Sequence, residues 1–152
     1  MPSPTHVFVV YGESLRKHFR GCAGAYKSER TARGGVRYGG LPRVVVGHSM
    51  GGHGALVAAL RNPDLYRSCS AFAPICNATR GEVGQKAFAG YLGPDEAAWR
   101  AYDACELVLG AAREDLTFLV DQGSGDEFKD SLLLPDAFLA ACKAGGQKLE
   151  LR

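Results

Sequence analysis

A Gly-His-Ser-Met-Gly stretch at residues 47–51 fits the G-x-S-x-G pattern of a serine nucleophile. The β-branched run at 44–46 precedes it, and an Ala/Leu-rich segment follows it. The pattern predicts a tight turn between a strand and a helix that exposes Ser49, because flanking glycines let the backbone approach its neighbours closely. Free N–H groups at the start of such a helix can hold an oxyanion, and the N–H of Met50 is the expected first donor. The chemistry indicated is nucleophilic attack by Ser49.

A glycine-rich turn that packs tightly or holds a phosphate is the alternative interpretation of this stretch. GHSMGGHG lacks the G-x-G-x-x-G spacing of a dinucleotide-binding loop. No acidic residue ends a following strand about 20 residues further on, as that fold requires. The sequence therefore favours the nucleophile.

A serine nucleophile needs a base and an acid that orients the base. In this type of fold the acid follows the serine along the chain, in the loop after a later strand. The segment at 116–128, with the residues just after it, offers four carboxylates: Asp121, Asp126, Glu127 and Asp130. Asp126 lies deep enough in the loop to turn back over the sheet, whereas Asp121 directly follows the strand and can simply end it. We favour Asp126 and leave Asp121 open.

No histidine of the sequence fits the role of general base. The chain has four histidines, at His6, His18, His48 and His53, and none of them follows Asp126. The side chain of His48 is expected to point away from Ser49 Oγ, because the two are neighbours on a sharp turn. His53 falls in the first helical turn and could meet the edge of the site, but we do not expect it to act as the base.

Alternating strand and helix signals predict a parallel α/β sheet. The segment at 43–46, β-branched from Val44 onward, shows no alternation, which is typical of a strand buried on both faces. Strands are predicted at 6–11, 43–46, 68–73, 116–120 and 148–151, with a turn at 47–51. Helices are predicted at 14–20, 53–60, 95–105 and 135–143.

Composition indicates an ordinary globular chain of 152 residues, 46% hydrophobic and 22% charged. No apolar run approaches the roughly 20 residues that a membrane span needs, and the first residues lack the features of a signal peptide. We therefore expect a cytosolic or organellar protein rather than a secreted one, and favour a cytoplasmic setting. The odd number of cysteines and the absence of a CxxC motif predict free buried thiols rather than disulfides or a zinc site, at Cys22, Cys69, Cys76, Cys105 and Cys142.

Several blocks between Leu41 and Arg152, in this order and spacing, resemble the S-formylglutathione hydrolase (esterase D) family. They are GHSMGGHGAL, SAFAPICN, KAFAGYLG, WRAYDA, DQGSGDEF and LLPDAFLAAC. The resemblance implies an α/β-hydrolase fold and hydrolysis of S-formylglutathione to formate and glutathione, the last step of glutathione-dependent formaldehyde detoxification. It also implies carboxylesterase activity on small esters, with no metal or cofactor. It places the nucleophile on Ser49, the acid on Asp126 and the oxyanion donor on Met50.

The resemblance does not extend to every part of the family's pattern. Residues 1–40 carry seven Lys/Arg against two Asp/Glu, with seven of the twenty glycines, and they resemble nothing in the family. The family's catalytic histidine lies in a Gly-x-Asp-His-Ser segment shortly after the last core strand, which residues 148–151 resemble. We expect an atypical basic Gly-rich segment at 1–40 and a partial α/β-hydrolase domain at 41–152, without the family's N-terminal strands and C-terminal histidine loop.

These departures predict little or no hydrolysis by the chain as written. A catalytically inactive remnant that binds partners through an exposed sheet edge is the alternative. We expect a small thioester or ester as substrate and no membrane partner. The basic residues of 1–40 are scattered, with few aromatics between them, so nucleic-acid binding is not expected either. A homodimer is left open.

Overall fold

The computed structural model of the chain describes residues 43–152 and, as a backbone strand, residues 6–10. The predicted helix at 14–20 and Cys22 lie outside these residues. Among the described residues no helix has the length and apolar character that crossing a bilayer requires.

Five parallel strands form one sheet in chain order. They are β1 (His6–Val10), β2 (Arg43–His48), β3 (Ser68–Phe72), β4 (Phe118–Asp121) and β5 (Leu149–Leu151). The strands at 6–11, 43–46, 68–73, 116–120 and 148–151 are confirmed, with ends that differ by one or two residues. Because all five strands run the same way, their carboxyl ends lie at one edge of the sheet. That edge carries the end of β2, where Ser49 follows, and the end of β4, where the acidic loop follows.

The helices of the described residues are α1 (Met50–Arg61), α2 (Glu82–Leu92), α3 (Glu96–Arg100), α4 (Ala104–Gly110) and α5 (Pro135–Gly145). A π-helical turn, Lys129–Leu133, precedes α5. The helix predicted at 135–143 is confirmed and is two residues longer. The helix predicted at 53–60 is α1, which begins three residues earlier because β2 continues to His48 and leaves only Ser49 as the turn.

The prediction of a single helix at 95–105 is wrong, because the helical conformation is interrupted before Asp103. This residue has an extended backbone (φ −102°, ψ 127°) and caps α4 by accepting from the N–H groups of Cys105 and Glu106. Its second carboxylate oxygen accepts from the N–H and hydroxyl of Thr79, at 2.9 and 3.0 Å. The side chain is fully buried and makes all of these bonds, so the break is part of the packing.

Helix α2 is absent from the sequence predictions. It buries only Gly84 and Phe88 along its 11 residues, so its sequence carries a weak apolar periodicity. Its N-cap is Gly81, which offers no side-chain oxygen to mark a helix start.

Two clusters of buried side chains hold the elements together. The larger cluster lies between the sheet and helices α1, α4 and α5, and Phe118 of β4 meets Phe138 of α5 edge-on at 6.2 Å. The smaller cluster consists of Ile75, Ala78, Phe88, Trp99 and Leu133, with Met50 and Ala73 packed against it. The smaller cluster therefore borders the turn that carries Ser49.

Buried Arg113 connects three segments of the chain that border the larger cluster. Its Nη1 donates to the carbonyl of Ala59 in α1 and its Nη2 to the carbonyl of Tyr66, both at 3.2 Å. Asp115 accepts from Nε and Nη2, at 3.1 and 2.6 Å. The backbone N–H of Arg113 donates to Oε1 of buried Gln147, so the loop before β4 is anchored on both sides.

Replacing Arg113 by Met is expected to lower the free energy of unfolding by about 2–4 kcal/mol, because two buried carbonyls lose their donors. Urea denaturation of Arg113→Met and wild-type protein measures the difference. Asp115→Asn is the control. Its side chain is 53% exposed, so water replaces the lost ion pair and the loss is expected to be clearly smaller. An equal loss in both variants would mean that the stability comes from the ion pair between Arg113 and Asp115 and not from the bonds to the buried carbonyls.

Four cysteines are described, and all are free and buried, at Cys69, Cys76, Cys105 and Cys142. Burial raises the pKa of each thiol, that of Cys142 to about 12. The thiolate is the reactive form, so these side chains are unreactive in the folded chain. The prediction of free buried thiols is confirmed for these four.

In a Cys22→Ser background, the four remaining thiols are expected to react with DTNB at least about a hundredfold more slowly in buffer than in denaturant. Stopped-flow absorbance measurements with and without guanidinium give the two rates. A thiol that reacts equally fast in both would contradict the packing described for it.

Candidate active site

Ser49 stands alone between the end of β2 and the start of α1. Its backbone has φ 53° and ψ −119°, a strained conformation for a residue with a side chain. Its N–H donates to the carbonyl of Phe72 at 2.8 Å, which joins the turn to the end of β3. A Cβ on Gly47 would overlap the carbonyl of Gly51, and one on Gly52 would lie 2.9 Å from Pro74 Cβ. Glycine is therefore required on both sides of the serine.

The start of α1 leaves backbone N–H groups that can donate to an anion. The N–H of Met50 opens the helix and has no acceptor one turn earlier within it. The helix dipole adds positive potential at the same place. Ser49 and Met50 are both half-buried.

The two histidines whose side chains the structure describes, His48 and His53, differ in their surroundings. His48 ends β2 with an exposed side chain. His53 is 3% exposed, its Nδ1 lies 3.1 Å from the carbonyl oxygen of Ile75, and its ring meets that of Phe88 at 6.2 Å. Burial lowers the pKa of His53, which favours the neutral ring.

Asp126 and Asp121 occupy different positions at the carboxyl edge. Asp126 is half-buried, and its Oδ1 accepts from the N–H of Phe128 at 2.9 Å while its Oδ2 accepts from Gln122 at 3.2 Å. Each carboxylate oxygen keeps a second lone pair, so Asp126 can still accept from an imidazole N–H. Asp121 is the exposed last residue of β4, and its carbonyl accepts from the N–H of Ala73.

Gln122 is a site residue that the sequence predictions missed. Its Nε2 donates to Asp126 Oδ2 and to the carbonyl of Gly123, and its backbone N–H donates to the carbonyl of Arg152. The side chain is 8% exposed, and its Oε1 is buried without a hydrogen-bond partner. In the sequence it is simply a polar residue just after a predicted strand, and its burial becomes apparent only in the structure.

Metal-binding side chains do not come together in the part of the chain that the structure describes. No group of three or more His, Cys, Asp or Glu residues there is arranged to hold a metal ion. At the carboxyl edge the strained serine turn follows β2, and the loop that carries Asp126 follows β4, two strands away.

Comparison with known proteins agrees with this geometry. The family model Esterase, described as "Putative esterase", matches residues 27–151. The chain belongs to this esterase family. Its relatives include the S-formylglutathione hydrolase of Mus musculus, 59% identical over 99 residues, and that of Arabidopsis thaliana, 51% identical over 108 residues. These matches cover 64% and 71% of this chain but 35% and 38% of the relatives, so the chain spans little more than a third of their length.

Solved structures of esterases have the same architecture. An S-formylglutathione hydrolase from Agrobacterium tumefaciens matches with a TM-score of 0.70 and 40% identity, over 90% of this chain and 47% of that one. Esterase B from Lactobacillus rhamnosis matches with a TM-score of 0.61 at 16% identity, over 73% of this chain and 40% of that one, a likeness of fold alone. The resemblance noted in the sequence and the α/β-hydrolase fold are confirmed. The division of this esterase-family chain near Leu41 stays a prediction.

The strain at Ser49 gives a testable consequence. Ser49→Gly is expected to be about 1 kcal/mol more stable than Ser49→Ala, because glycine adopts a positive φ without steric cost. Urea denaturation of the two variants measures the difference, and both lack the hydroxyl, so lost hydrogen bonds cancel. Equal stabilities, or a more stable alanine variant, would contradict the backbone conformation described for the turn.

Proposed function

We propose that this chain carries the nucleophile, the acid and the first oxyanion donor of a serine hydrolase of the S-formylglutathione hydrolase type. The roles fall on Ser49, Asp126 and the N–H of Met50. The observation that carries the proposal is the turn at Ser49: a strained serine between a parallel strand and a helix, with glycines that no other residue can replace. Identity of 51–59% to S-formylglutathione hydrolases supports the substrate class.

In the proposed reaction Ser49 Oγ attacks the carbonyl carbon of the formyl thioester. A base takes the hydroxyl proton, and the N–H of Met50 donates to the oxyanion of the tetrahedral intermediate. The carbon–sulfur bond then breaks, and the thiol of glutathione leaves with a proton. Water attacks the formyl-serine ester, which releases formate and restores the hydroxyl. Small carboxylic esters follow the same course with an alcohol as leaving group.

Asp126 is proposed as the acid because its position is held from two sides. The N–H of Phe128 holds one carboxylate oxygen and Gln122 holds the other. An acid that must orient an imidazole needs a fixed carboxylate with lone pairs to spare, and Asp126 has both. Asp121 is exposed, and its carboxylate faces Arg152, whose pKa is raised chiefly by the hydrogen-bonded Glu150 carboxylate and to a smaller extent by Asp121.

The smaller apolar cluster is proposed to form the wall beside the reacting acyl group. Met50 and Ala73 pack against it from the turn and from the end of β3. Trp99 is held in place within it by donating from Nε1 to the carbonyl of Gly93 at 2.9 Å.

The cytoplasm is proposed as the cellular location of the protein.

We propose that none of these 152 residues serves as the base, and they are then expected to hydrolyse esters about 10⁴- to 10⁶-fold more slowly than a complete triad would. Added imidazole can take the place of an absent histidine side chain. We expect imidazole to raise the rate of p-nitrophenyl acetate hydrolysis above the rate it gives alone, and Ser49→Ala to remove this increase. Ser131→Ala, which changes an exposed serine of the π-helical turn, is the control and should behave as wild type.

The same protein treated with a fluorophosphonate probe and imidazole should carry the label on Ser49, as found by peptide mass spectrometry. Comparing S-formylglutathione with p-nitrophenyl acetate under imidazole tests the thioester preference. If Ser49→Ala keeps the wild-type response to imidazole and the probe leaves Ser49 unlabelled, the hydrolase proposal is wrong. The inactive partner-binding remnant is then the better description.

A further inference from the structure

Three residues around the turn form a closed set of hydrogen bonds. The carbonyl of Ser49 accepts from the backbone N–H of His53 at 3.0 Å and from the N–H of Ile75 at 3.4 Å. The carbonyl of Ile75 in turn lies 3.1 Å from Nδ1 of the His53 ring. Each of the three residues is therefore bonded to the other two, and His53 takes part with both its backbone and its side chain.

The protonation of the His53 ring follows from its partner. A carbonyl oxygen can only accept, so Nδ1 must carry the hydrogen and donate it to Ile75. The ring is 3% exposed and Ile75 is 9% exposed, so water does not compete for this bond. An apolar side chain in place of His53 would leave the carbonyl of Ile75 without this donor.

This set of bonds fixes the direction of one peptide unit. The carbonyl of Ser49 and the N–H of Met50 belong to the same planar group, and every described peptide bond is trans. In a trans peptide the C=O and N–H point in opposite directions. Two donors that hold the Ser49 carbonyl on one side therefore set the direction of the Met50 N–H on the other.

We propose that His53 is a positioning residue for the oxyanion donor: by holding Ile75 against the carbonyl of Ser49, it fixes the Ser49–Met50 peptide unit and with it the direction of the Met50 N–H. The inference rests on the proposed function, because it concerns the donor of the same site. It assigns His53 no contact with the reacting atoms. Its role passes through the backbone of Ile75 and Ser49.

Packing alone is the competing explanation, since the His53 ring also contacts Phe88. Two substitutions separate packing from hydrogen bonding. His53→Asn keeps an amide N–H close to the position of Nδ1, whereas His53→Leu fills similar space without a donor. Phe88→Leu is the matched control: it reduces the packing on the ring but leaves the bond between His53 and Ile75 in place.

The first measurement uses the wild-type chain and needs no variant. Nitrogen-15 NMR of the His53 ring distinguishes a protonated Nδ1 from an unprotonated one, and we expect Nδ1 to be protonated. In ¹H–¹⁵N spectra the amide signals of Met50 and Ile75 should move in His53→Leu, return towards wild type in His53→Asn, and stay in Phe88→Leu. An unprotonated Nδ1 in wild type, or a Met50 amide unchanged in His53→Leu, overturns the inference.

The second measurement is the rate at which the fluorophosphonate probe labels Ser49 in the presence of imidazole. We expect His53→Leu to be slower by about tenfold or more, somewhat below the effect of losing a donor outright, and His53→Asn and Phe88→Leu to stay within about threefold of wild type. Equal slowing in His53→Leu and Phe88→Leu would show that packing is responsible and overturns the inference. If wild-type Ser49 is not labelled at all, the proposed function fails, and the NMR measurements alone decide the role of His53.

Discussion

The close approach of α1 to the ends of β2 and β3 is the constraint on which the site depends. Ser49 must leave β2 and enter α1 within one residue, while its N–H reaches the carbonyl of Phe72 on the neighbouring strand. This is feasible only where no side chain stands between the elements, a condition met by Gly47 near the end of β2 and by Gly52 in the first turn of α1. The serine is left with a positive φ, and its neighbours hold it there.

Sequence periodicity predicts the strands better than the helices in this chain. The β-branched and apolar runs that become β2 to β5 are short and bounded by breakers, so their positions were predictable to within two residues. Helices α3 and α4 share a continuous apolar pattern, and they are separated at Asp103, which caps α4 and also bonds Thr79, 24 residues earlier. Periodicity indicates which side chains of a segment are buried. It carries no information on hydrogen bonds to residues far away in the sequence.

The same limit applies to the site. Ser49, Met50 and Asp126 could be selected from local motifs, because a nucleophile elbow and an acidic loop are features of adjacent residues. His53 and Gln122 could not be placed in the same way. The ring of His53 bonds to Ile75, 22 residues further on. The sequence around His53 does not distinguish this bond from simple packing of a buried histidine. The bond is visible only once β3 lies beside β2.

The arrangement of the Gln122 side chain is not explained by its contribution to fold stability. Both groups within reach of its Nε2, Asp126 Oδ2 and the carbonyl of Gly123, are acceptors, so the amide cannot be turned round. Its Oε1 is consequently held in a buried position without a partner, at a cost of about 1–3 kcal/mol. An apolar side chain there would avoid that cost but would release one oxygen of Asp126. A buried amide that costs stability and holds the proposed catalytic carboxylate is therefore better explained by orientation of that carboxylate than by packing.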